Sequence, residues 1–387
     1  MKRYLMVWLL LTFPFLAMSC VPLNPPDKLS NLSKEQWEKA VTRTTDGWTK
    51  GADQWFLSSD PNAAEKANAL APDTAAISTT MVRVPDFTRV KINGSFQTQI
   101  YGGMEHNSVY LNGPNASTGQ VVVKVENNTL YVYQRLSSHA SLKRVIVRIG
   151  LVTIHYLEQA GGGTIEAVRV VSDDFSLKSV GCGNIYLSGN VNLNNLVQGG
   201  CGNITIFGAN TPKLALMTLS GSTGAVNLEG NVGINRMVHH GLGNINILGA
   251  NSDALTIRAD GRGKVSLFGE VNLRQVIAKE HACVFVSKAD SQVLSVDLYD
   301  DARLGVAGRV GKLNVNTFNR SRFMGKHFQA EEALVRSRDA SHININARHR
   351  LFASASQQSS IYFYGPKQAL SSFIKGSATI IPVGMAH

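Results

Sequence analysis

The sequence predicts an all-β protein whose chain winds into a single parallel, right-handed β-helix, a solenoid with coils of about 20 residues. Three observations lead to this fold class. An apolar residue recurs about every 20 residues over much of the chain, glycine contributes 35 of 387 residues, and only 17% of residues are charged. A unit of this length cannot bury its own core, so successive units must stack.

Residues 1–19 read as an export signal that is removed from the mature protein. Lys2 and Arg3 precede an apolar run from Tyr4 to Met18, which as a helix spans about 22 Å and is shorter than the ~30 Å hydrocarbon core. The run ends in Leu16-Ala17-Met18-Ser19-Cys20, which resembles the lipobox of bacterial lipoproteins. That resemblance implies lipidation at Cys20 and anchoring in the bacterial outer membrane, on a periplasmic or surface face that the sequence leaves open. A plain secretory signal is the alternative.

Residues 20–80 are expected to form a linker with a short helix, and residues 81–387 the β-helix domain. The helix would begin at Ser33, because Ser33-Lys34-Glu35-Gln36 has the composition of a capping box. Three of the four tryptophans, Trp37, Trp48 and Trp55, lie in this segment. A cap over the open end of the β domain explains them better than a helix lying on a membrane.

The repeat itself is marked by ten apolar positions. They are Ile165, Ile185, Ile204, Val226, Ile245, Val265, Val284, Leu304, Phe323 and Ile343. Each should lie above its equivalent in the preceding coil, about 4.8 Å along the axis. If residues 82–381 all wind at this period, the rod has roughly 15 coils and a length of about 70 Å.

Three copies of the motif G-x-G-N-I mark one corner of the predicted coil. Their glycines and asparagines are Gly181, Gly183 and Asn184, then Gly200, Gly202 and Asn203, then Gly241, Gly243 and Asn244. We expect the glycines to occupy turns that need positive φ. The asparagines should stack and pass hydrogen bonds between coils.

These residues also resemble a known family. The segments that carry the resemblance are residues 87–94 (FTRVKING), residues 123–132 (VKVENNTLYV), the G-x-G-N-I repeats and the ending from Tyr364-Gly365-Pro366 to residue 378. Together they are similar to the putative auto-transporter adhesin, head GIN domain family. The resemblance implies a β-helical envelope protein, often a lipoprotein, and the family name implies adhesion without a mechanism.

A column of polar residues before the motif corner is the candidate ligand edge. It consists of His240, Asp260, Glu280, Asp300 and Arg320, which recur at the period of the repeat. Stacked carboxylates raise one another's pKa, and carbohydrate-cleaving β-helices use clustered carboxylates as acid and base. Solvated turn residues, neutralised by nearby Arg and Lys, are the simpler interpretation.

Cys182 and Cys201 occupy the same place in successive coils, so a disulfide between them is possible, with a stacked pair of thiols as the alternative. No catalytic residue, metal site or cofactor is predicted: H-E-x-x-H, Walker A and G-x-S-x-G are absent from the sequence. The formal net charge is +11, but the basic residues are scattered, so nucleic acid is not an expected partner.

The sequence therefore favours a non-enzymatic, lipid-anchored envelope protein whose partners are the membrane and either a glycan or an envelope protein. Two alternatives stay open. One is a polysaccharide lyase or hydrolase that uses the carboxylate edge, and the other is a purely structural envelope component.

Overall fold

The computed structural model describes residues 49–50, 55–56, 77–135 and 142–384. The predicted signal peptide, the lipidation site at Cys20 and the helix expected at Ser33 lie outside these residues. The described chain is almost wholly β, and it forms a parallel β-solenoid of about 11 turns with coils of about 20 residues. The predicted fold class is confirmed.

The N-terminal part contains ten short strands and one helical turn. They are β1 (Thr49–Lys50), β2 (Trp55–Phe56), β3 (Ile77–Val82), β4 (Arg89–Asn93), β5 (Gln97–Tyr101), β6 (Ser108–Pro114), α1 (Asn115–Thr118), β7 (Val121–Glu126), β8 (Thr129–Gln134), β9 (Ile146–Gly150) and β10 (Tyr156–Gln159).

Ten long strands follow, one in each coil, and the chain closes with three shorter strands and a 3₁₀ turn. The long strands are β11 (Ile165–Ser179), β12 (Ile185–Gln198), β13 (Ile204–Thr218), β14 (Val226–His239), β15 (Ile245–Ala259), β16 (Lys264–Ala278), β17 (Cys283–Leu298), β18 (Arg303–Thr317), β19 (Arg322–Ser337) and β20 (His342–Gln357). The closing elements are β21 (Ser360–Tyr364), the 3₁₀ turn Lys367–Ala369, β22 (Leu370–Gly376) and β23 (Thr379–Gly384).

Each long strand pairs in parallel with the strand of the next coil, and the predicted ladder sets the register. Ile165 pairs with Ile185, Ile185 with Ile204, and the series continues without a break to Phe323 and Ile343. All ten marked positions are at most 1% exposed. The repeat period alone therefore identified one complete column of core side chains.

Register shifts divide the long strands into sides. In β11 the shifts that separate the sides fall after Ala167 and after Ser172, with a further shift after Phe175. We call the three segments the first, second and third sides, in chain order from the end of the motif corner. Within each side buried and exposed residues alternate, as expected for strands with one face on a core.

The solenoid has fewer coils than the roughly 15 predicted from the repeat, because the N-terminal strands do not all wind. Strands β3 and β6, β6 and β9, and β7 and β8 pair antiparallel. Only β4, β5, β8 and β9 continue the parallel stack below β10 and β11. The antiparallel strands form a cap, and the hairpin β7–β8 turns at Asn127 and Asn128, both with positive φ.

The expectation that the motif glycines need positive φ is wrong. None of the six has it; positive φ falls instead on glycines between the first and second sides, such as Gly189 and Gly208. The motif glycines are required by close approach. A Cβ on Gly202 would lie 1.9 Å from the carbonyl oxygen of Gly183, and one on Gly183 would lie 1.9 Å from that of Gly163.

Candidate functional site

In the structure, the five residues of the predicted ligand edge do not stack in one column. They occupy three different positions along the coils. His239 pairs with Ala259, so His240 and Asp260 stand at one level, and the His240 Nδ1 contacts Asp260 Oδ1. The next coil is one residue shorter, since Ala259 pairs with Ala278. Asp260 is therefore followed by Lys279, and Glu280 does not continue its column.

Glu280 and Asp300 belong to a turn column that runs on through Asn319, Asp339 and Gln357. All five have φ between 55° and 64°. The Asp300 Oδ2 accepts a hydrogen bond from the backbone N–H of Glu280 at 3.2 Å, and its Oδ1 accepts one from Asn319 Nδ2 at 2.8 Å. The Asp300 carboxylate thus stabilises left-handed turns of neighbouring coils.

Arg320 lies one position off this column and pairs with Asp301. Its Nε and Nη2 donate to the two carboxylate oxygens at 2.8 and 2.7 Å. This hydrogen bonding holds the pKa of Asp301 below its ordinary value. The structure therefore brings together His240 with Asp260, and Glu280 with Asp300, but it does not join the five residues into one edge.

The motif asparagines form a hydrogen-bonded ladder at their corner. Asn184 Oδ1 accepts from the N–H of Asn203, Asn203 Oδ1 from that of Ala225, and Asn244 Oδ1 from that of Lys264, each at 2.9 Å. Beside this ladder, Cys182 and Cys201 form a disulfide between neighbouring coils, with their Cα atoms 4.5 Å apart. These residues hold coils together.

A polar column fills the solenoid interior behind the glycine corner. Gln159, Ser179, Gln198, Thr218 and His239 close the third side in successive coils and are at most 2% exposed. Gln159 Nε2 donates to the carbonyls of Gly161 and Gly163, both at 3.0 Å. The corner glycines have no side chains of their own, so the polar side chains inside the coil supply the hydrogen-bond donors for their carbonyl groups.

An open groove lies on the second side of the coils. It has a volume of about 380 Å3 and is lined by residues of four successive strands, β11 to β14. The lining residues are Ser172, Asp173, Asn190, Asn192, Asn210, Pro212 and Asn231. We call this set the asparagine groove.

The groove asparagines follow one another along the solenoid axis. Asn210 pairs with Asn231 in register, and Asn192 stands level with Asn210 because Val191 pairs with Ala209. The glycine bend before the second side, at Gly189, Gly208 and Gly230, brings these asparagines to the surface. Amides therefore recur about every 4.8 Å along the groove.

Asn192 is partly buried in the groove. Its Oδ1 is buried, and no donor among the described residues lies within hydrogen-bonding distance. Leaving a buried acceptor unmet costs about 1–3 kcal/mol.

The groove ends where charged pairs begin. Asn251 pairs in register with Glu270, and Glu270 accepts a hydrogen bond from Lys288 at 2.6 Å. One coil farther, Arg309 Nε bonds to Asp290 Oδ2 at 2.9 Å. These ion pairs between coils therefore lie beyond the groove, whose lining is rich in amides and carries one carboxylate, Asp173.

The sequence analysis did not single out the groove residues. A signal was present, since asparagine recurs at 190, 210, 231 and 251, shortly after the glycine that ends each first side. The predicted edge rested instead on the charged residues of the motif corner. Asparagine at a repeat boundary is also an ordinary turn residue, so its recurrence alone did not indicate an open surface.

Metal and membrane features are not seen in the described part of the chain. Within residues 77–135 and 142–384, no group of three or more His, Cys, Asp or Glu side chains is placed to hold a metal ion. Over the described residues, no helix has the length and apolarity needed to cross a bilayer.

A comparison with known protein families indicates to which family the chain belongs. Residues 86–279 and 272–366 match the family described as "Putative auto-transporter adhesin, head GIN domain". The chain belongs to this family. The adhesin-like description of the GIN domain family supports a binding role in the cell envelope or at the cell surface. Among curated proteins no match was found.

Solved structures are only distantly similar to this chain. A putative lipid binding protein from Parabacteroides distasonis ATCC 8503 is 15% identical, with 80% of this chain and 98% of that chain covered and a TM-score of 0.32. A putative adhesin from Parabacteroides merdae ATCC 43184 is 11% identical over 80% and 97% of the two chains, with a TM-score of 0.24. One from Bacteroides fragilis NCTC 9343 is 13% identical over 81% and 96%, also with a TM-score of 0.24. At these TM-scores the similarities carry no argument about this chain's ligand.

Proposed function

We propose that this GIN domain protein is a non-enzymatic envelope adhesin that binds a neutral polysaccharide along the asparagine groove. The supporting observation is the groove itself: amide side chains from successive coils line one open surface of about 380 Å3. An amide offers both donors and an acceptor. A sugar hydroxyl needs both, so a row of amides suits a row of hydroxyls.

In this proposal the chain is held at the outer membrane by acyl chains on Cys20. Two or more acyl chains make such anchoring stable. A lipid anchor fits a rigid rod that carries its groove along one side, because the groove then stands clear of the bilayer surface. Metabolic labelling with an alkynyl fatty acid tests it: the wild-type chain is labelled, and Cys20→Ala is not.

The enzymatic alternative receives less support from the geometry. Asp300 is bonded to a backbone N–H and to Asn319, and Asp301 is bonded to Arg320. Asp260 contacts His240 and lies 3.8 Å from Arg258 Nε. These carboxylates already serve turns and ion pairs of the described coils, so the proposal gives them a structural role.

A glycan-binding screen of the purified chain tests the adhesin proposal. We expect a neutral polysaccharide to bind, and Asn192→Ala and Asn210→Ala each to weaken binding about tenfold, which corresponds to ~1.4 kcal/mol. Asn195→Ala is the matched control. Asn195 is exposed on the third side of the same coil, and the equivalent position of the next coil is already alanine, Ala215. Binding that survives both groove variants would refute the groove as the site.

A further inference from the structure

A face rich in tyrosine and basic residues lies on the N-terminal part of the protein, apart from the asparagine groove. Strands β7, β8, β4, β10 and β11 pair side by side in that order. The side chains of one face of this sheet are tyrosines alternating with basic residues. They are Lys124 on β7, Tyr131 and Tyr133 on β8, Arg89 and Lys91 on β4, Tyr156 and Glu158 on β10, and Lys178 on β11.

The basic groups of this face lie over the tyrosine rings. Lys91 Nζ is 5.8 Å from the ring centroid of Tyr131 and 5.8 Å from that of Tyr156. Lys124 Nζ is 5.4 Å from the Tyr131 centroid, and the Arg89 guanidinium is 4.5 Å from that of Tyr156. Cation–π contacts of this kind orient both the rings and the charges, so the face is ordered in advance.

Glu158 organises the centre of the face. It accepts hydrogen bonds from Lys178 at 2.8 Å and Tyr156 at 2.9 Å, and Lys91 Nζ lies 3.2 Å away. Burial alone would raise the pKa of Glu158, but these three partners lower it on balance. Burial, together with the hydrogen bond to Glu158, raises the pKa of Tyr156 to about 12. The carboxylate therefore stays ionised at neutral pH, and the tyrosine keeps its proton.

A cleft of about 290 Å3 opens on this face. Lys91, Asn93, Tyr131, Tyr133 and Glu158 supply its polar and aromatic walls. Two aromatic rings beside an amide, a carboxylate and an ammonium group provide apolar surface together with directional hydrogen bonds. That mixture is typical of a small-ligand site.

The charge of the surrounding face selects the ligand further. Arg89, Lys91, Lys124 and Lys178 are opposed by Glu158 and by Glu126, which bonds Lys124 at 2.8 Å. Four basic groups against two acidic ones leave the face positive, and such a face favours an anion. The asparagine groove has no comparable set of basic groups among its lining residues.

We propose that this cleft is a second binding site, for a saccharide that carries a carboxylate group, such as a uronic acid. The tyrosine rings contact the C–H surface of the sugar, Asn93 and Glu158 bond its hydroxyls, and Lys91 pairs with its carboxylate. The proposal does not depend on the asparagine groove, since it rests on different residues and on basic groups that the groove lining lacks.

Calorimetric titration of the full chain with trigalacturonic acid tests the site, with the neutral galactose trimer as the matched ligand. We expect the acidic trimer to bind at least tenfold more tightly than the neutral one, and its affinity to fall as salt is raised. Lys91→Met should cost at least tenfold, because Glu158 keeps Lys178 and Tyr156 as partners while the ligand loses its counter-charge. Tyr133→Ala should cost as much through lost apolar contact.

Two controls keep the outcome clear. Lys91→Arg, which preserves the charge, should bind within threefold of wild type, and Asn192→Ala should leave trigalacturonate binding unchanged. Thermal unfolding of each variant checks that the fold is intact. Equal affinity for both trimers, unchanged binding by Lys91→Met and Tyr133→Ala, or no trigalacturonate binding would overturn the site. Loss of neutral polysaccharide binding by Asn192→Ala would still support the groove in any of these cases.

Discussion

Asn184 and Asn203 are linked across neighbouring coils, since Oδ1 of Asn184 accepts a hydrogen bond from the backbone N–H of Asn203 at 2.9 Å. Asn203 repeats the contact with Ala225 in the following coil. Each asparagine of the motif thus serves the coil that comes after its own. The ladder explains why the G-x-G-N-I motif carries an asparagine at this position, and it has a measurable consequence.

We predict that Asn203→Ala destabilises the protein by about 1 kcal/mol, because the N–H of Ala225 loses its acceptor. Asn203→Asp, which keeps an acceptor oxygen, should retain most of the stability. Urea denaturation of the two variants measures the difference, with Asn195→Ala as the control outside the ladder. Equal stability of Asn203→Ala and wild type would show that the ladder contributes nothing.

We predict that Gly202→Ala is much more destabilising, by about 3 kcal/mol or more. The new Cβ would lie 1.9 Å from the carbonyl oxygen of Gly183, and a backbone atom cannot rotate out of the way. Gly162→Ala is the matched control, since a Cβ there meets nothing within 4 Å, and its effect should stay within about 0.5 kcal/mol. Similar unfolding midpoints for the two variants would contradict the close approach of the coils.

We predict that His239 makes the protein less stable as the pH falls below the ordinary pKa of histidine. Burial lowers the pKa of His239 from 6.5; the backbone of Gly263 and the charge of Asp260 act the other way, and His240 adds to the lowering. Between the unfolded and folded pKa values the unfolded chain binds more protons, so the free energy of unfolding decreases with falling pH.

His239→Gln isolates this contribution, because glutamine already occupies equivalent interior positions at Gln159 and Gln198. The loss of stability from about pH 7.5 to about pH 5 should be smaller in the variant than in wild type. His342, whose pKa burial also lowers, remains in both proteins, so the difference between them is the informative quantity. Identical pH profiles would contradict the assignment.

We predict an attractive coupling between Tyr299 and Phe318. Their rings are stacked with centroids 5.0 Å apart and planes 5° from parallel, and Lys279 Nζ lies 5.2 Å from the Tyr299 centroid. A double-mutant cycle with alanine should give a coupling free energy of about 0.5–1.5 kcal/mol. The same cycle between Tyr299 and Phe352, on a later coil, should give a value near zero; coupling of equal size in both cycles would argue against the stack.

The sequence predicted the core better than the surface. The ten apolar marks from Ile165 to Ile343 were correct because a buried polar side chain without a hydrogen-bond partner is costly, so the core column stays apolar at a strict period that is visible in the sequence. The column from His240 to Arg320 was divided because the coil that leads from Ala259 to Ala278 is one residue shorter than the coil before it. The apolar ladder changes in the same way, from Ile245–Val265 to the shorter step Val265–Val284, so residues spaced by a constant 20 could not stay in one column.

The role of the motif glycines and the position of the groove asparagines could not be predicted from the sequence. Both depend on contacts between neighbouring coils, which the sequence of one repeat does not show. The motif glycines were expected to need positive φ, but it is the carbonyl oxygen of the preceding coil that excludes a side chain at Gly202. Asn192 and Asn210 are unremarkable turn residues in the sequence. They line one groove only because Val191 pairs with Ala209 across the coils.

The most direct test of the proposed adhesin function is the affinity of the purified chain for the neutral polysaccharide found by the screen, compared among wild type, Asn192→Ala, Asn210→Ala and Asn195→Ala. Wild type and Asn195→Ala should bind alike, and each groove variant should bind about tenfold more weakly. Four equal affinities, or no neutral glycan ligand at all, would contradict the asparagine groove as the binding surface.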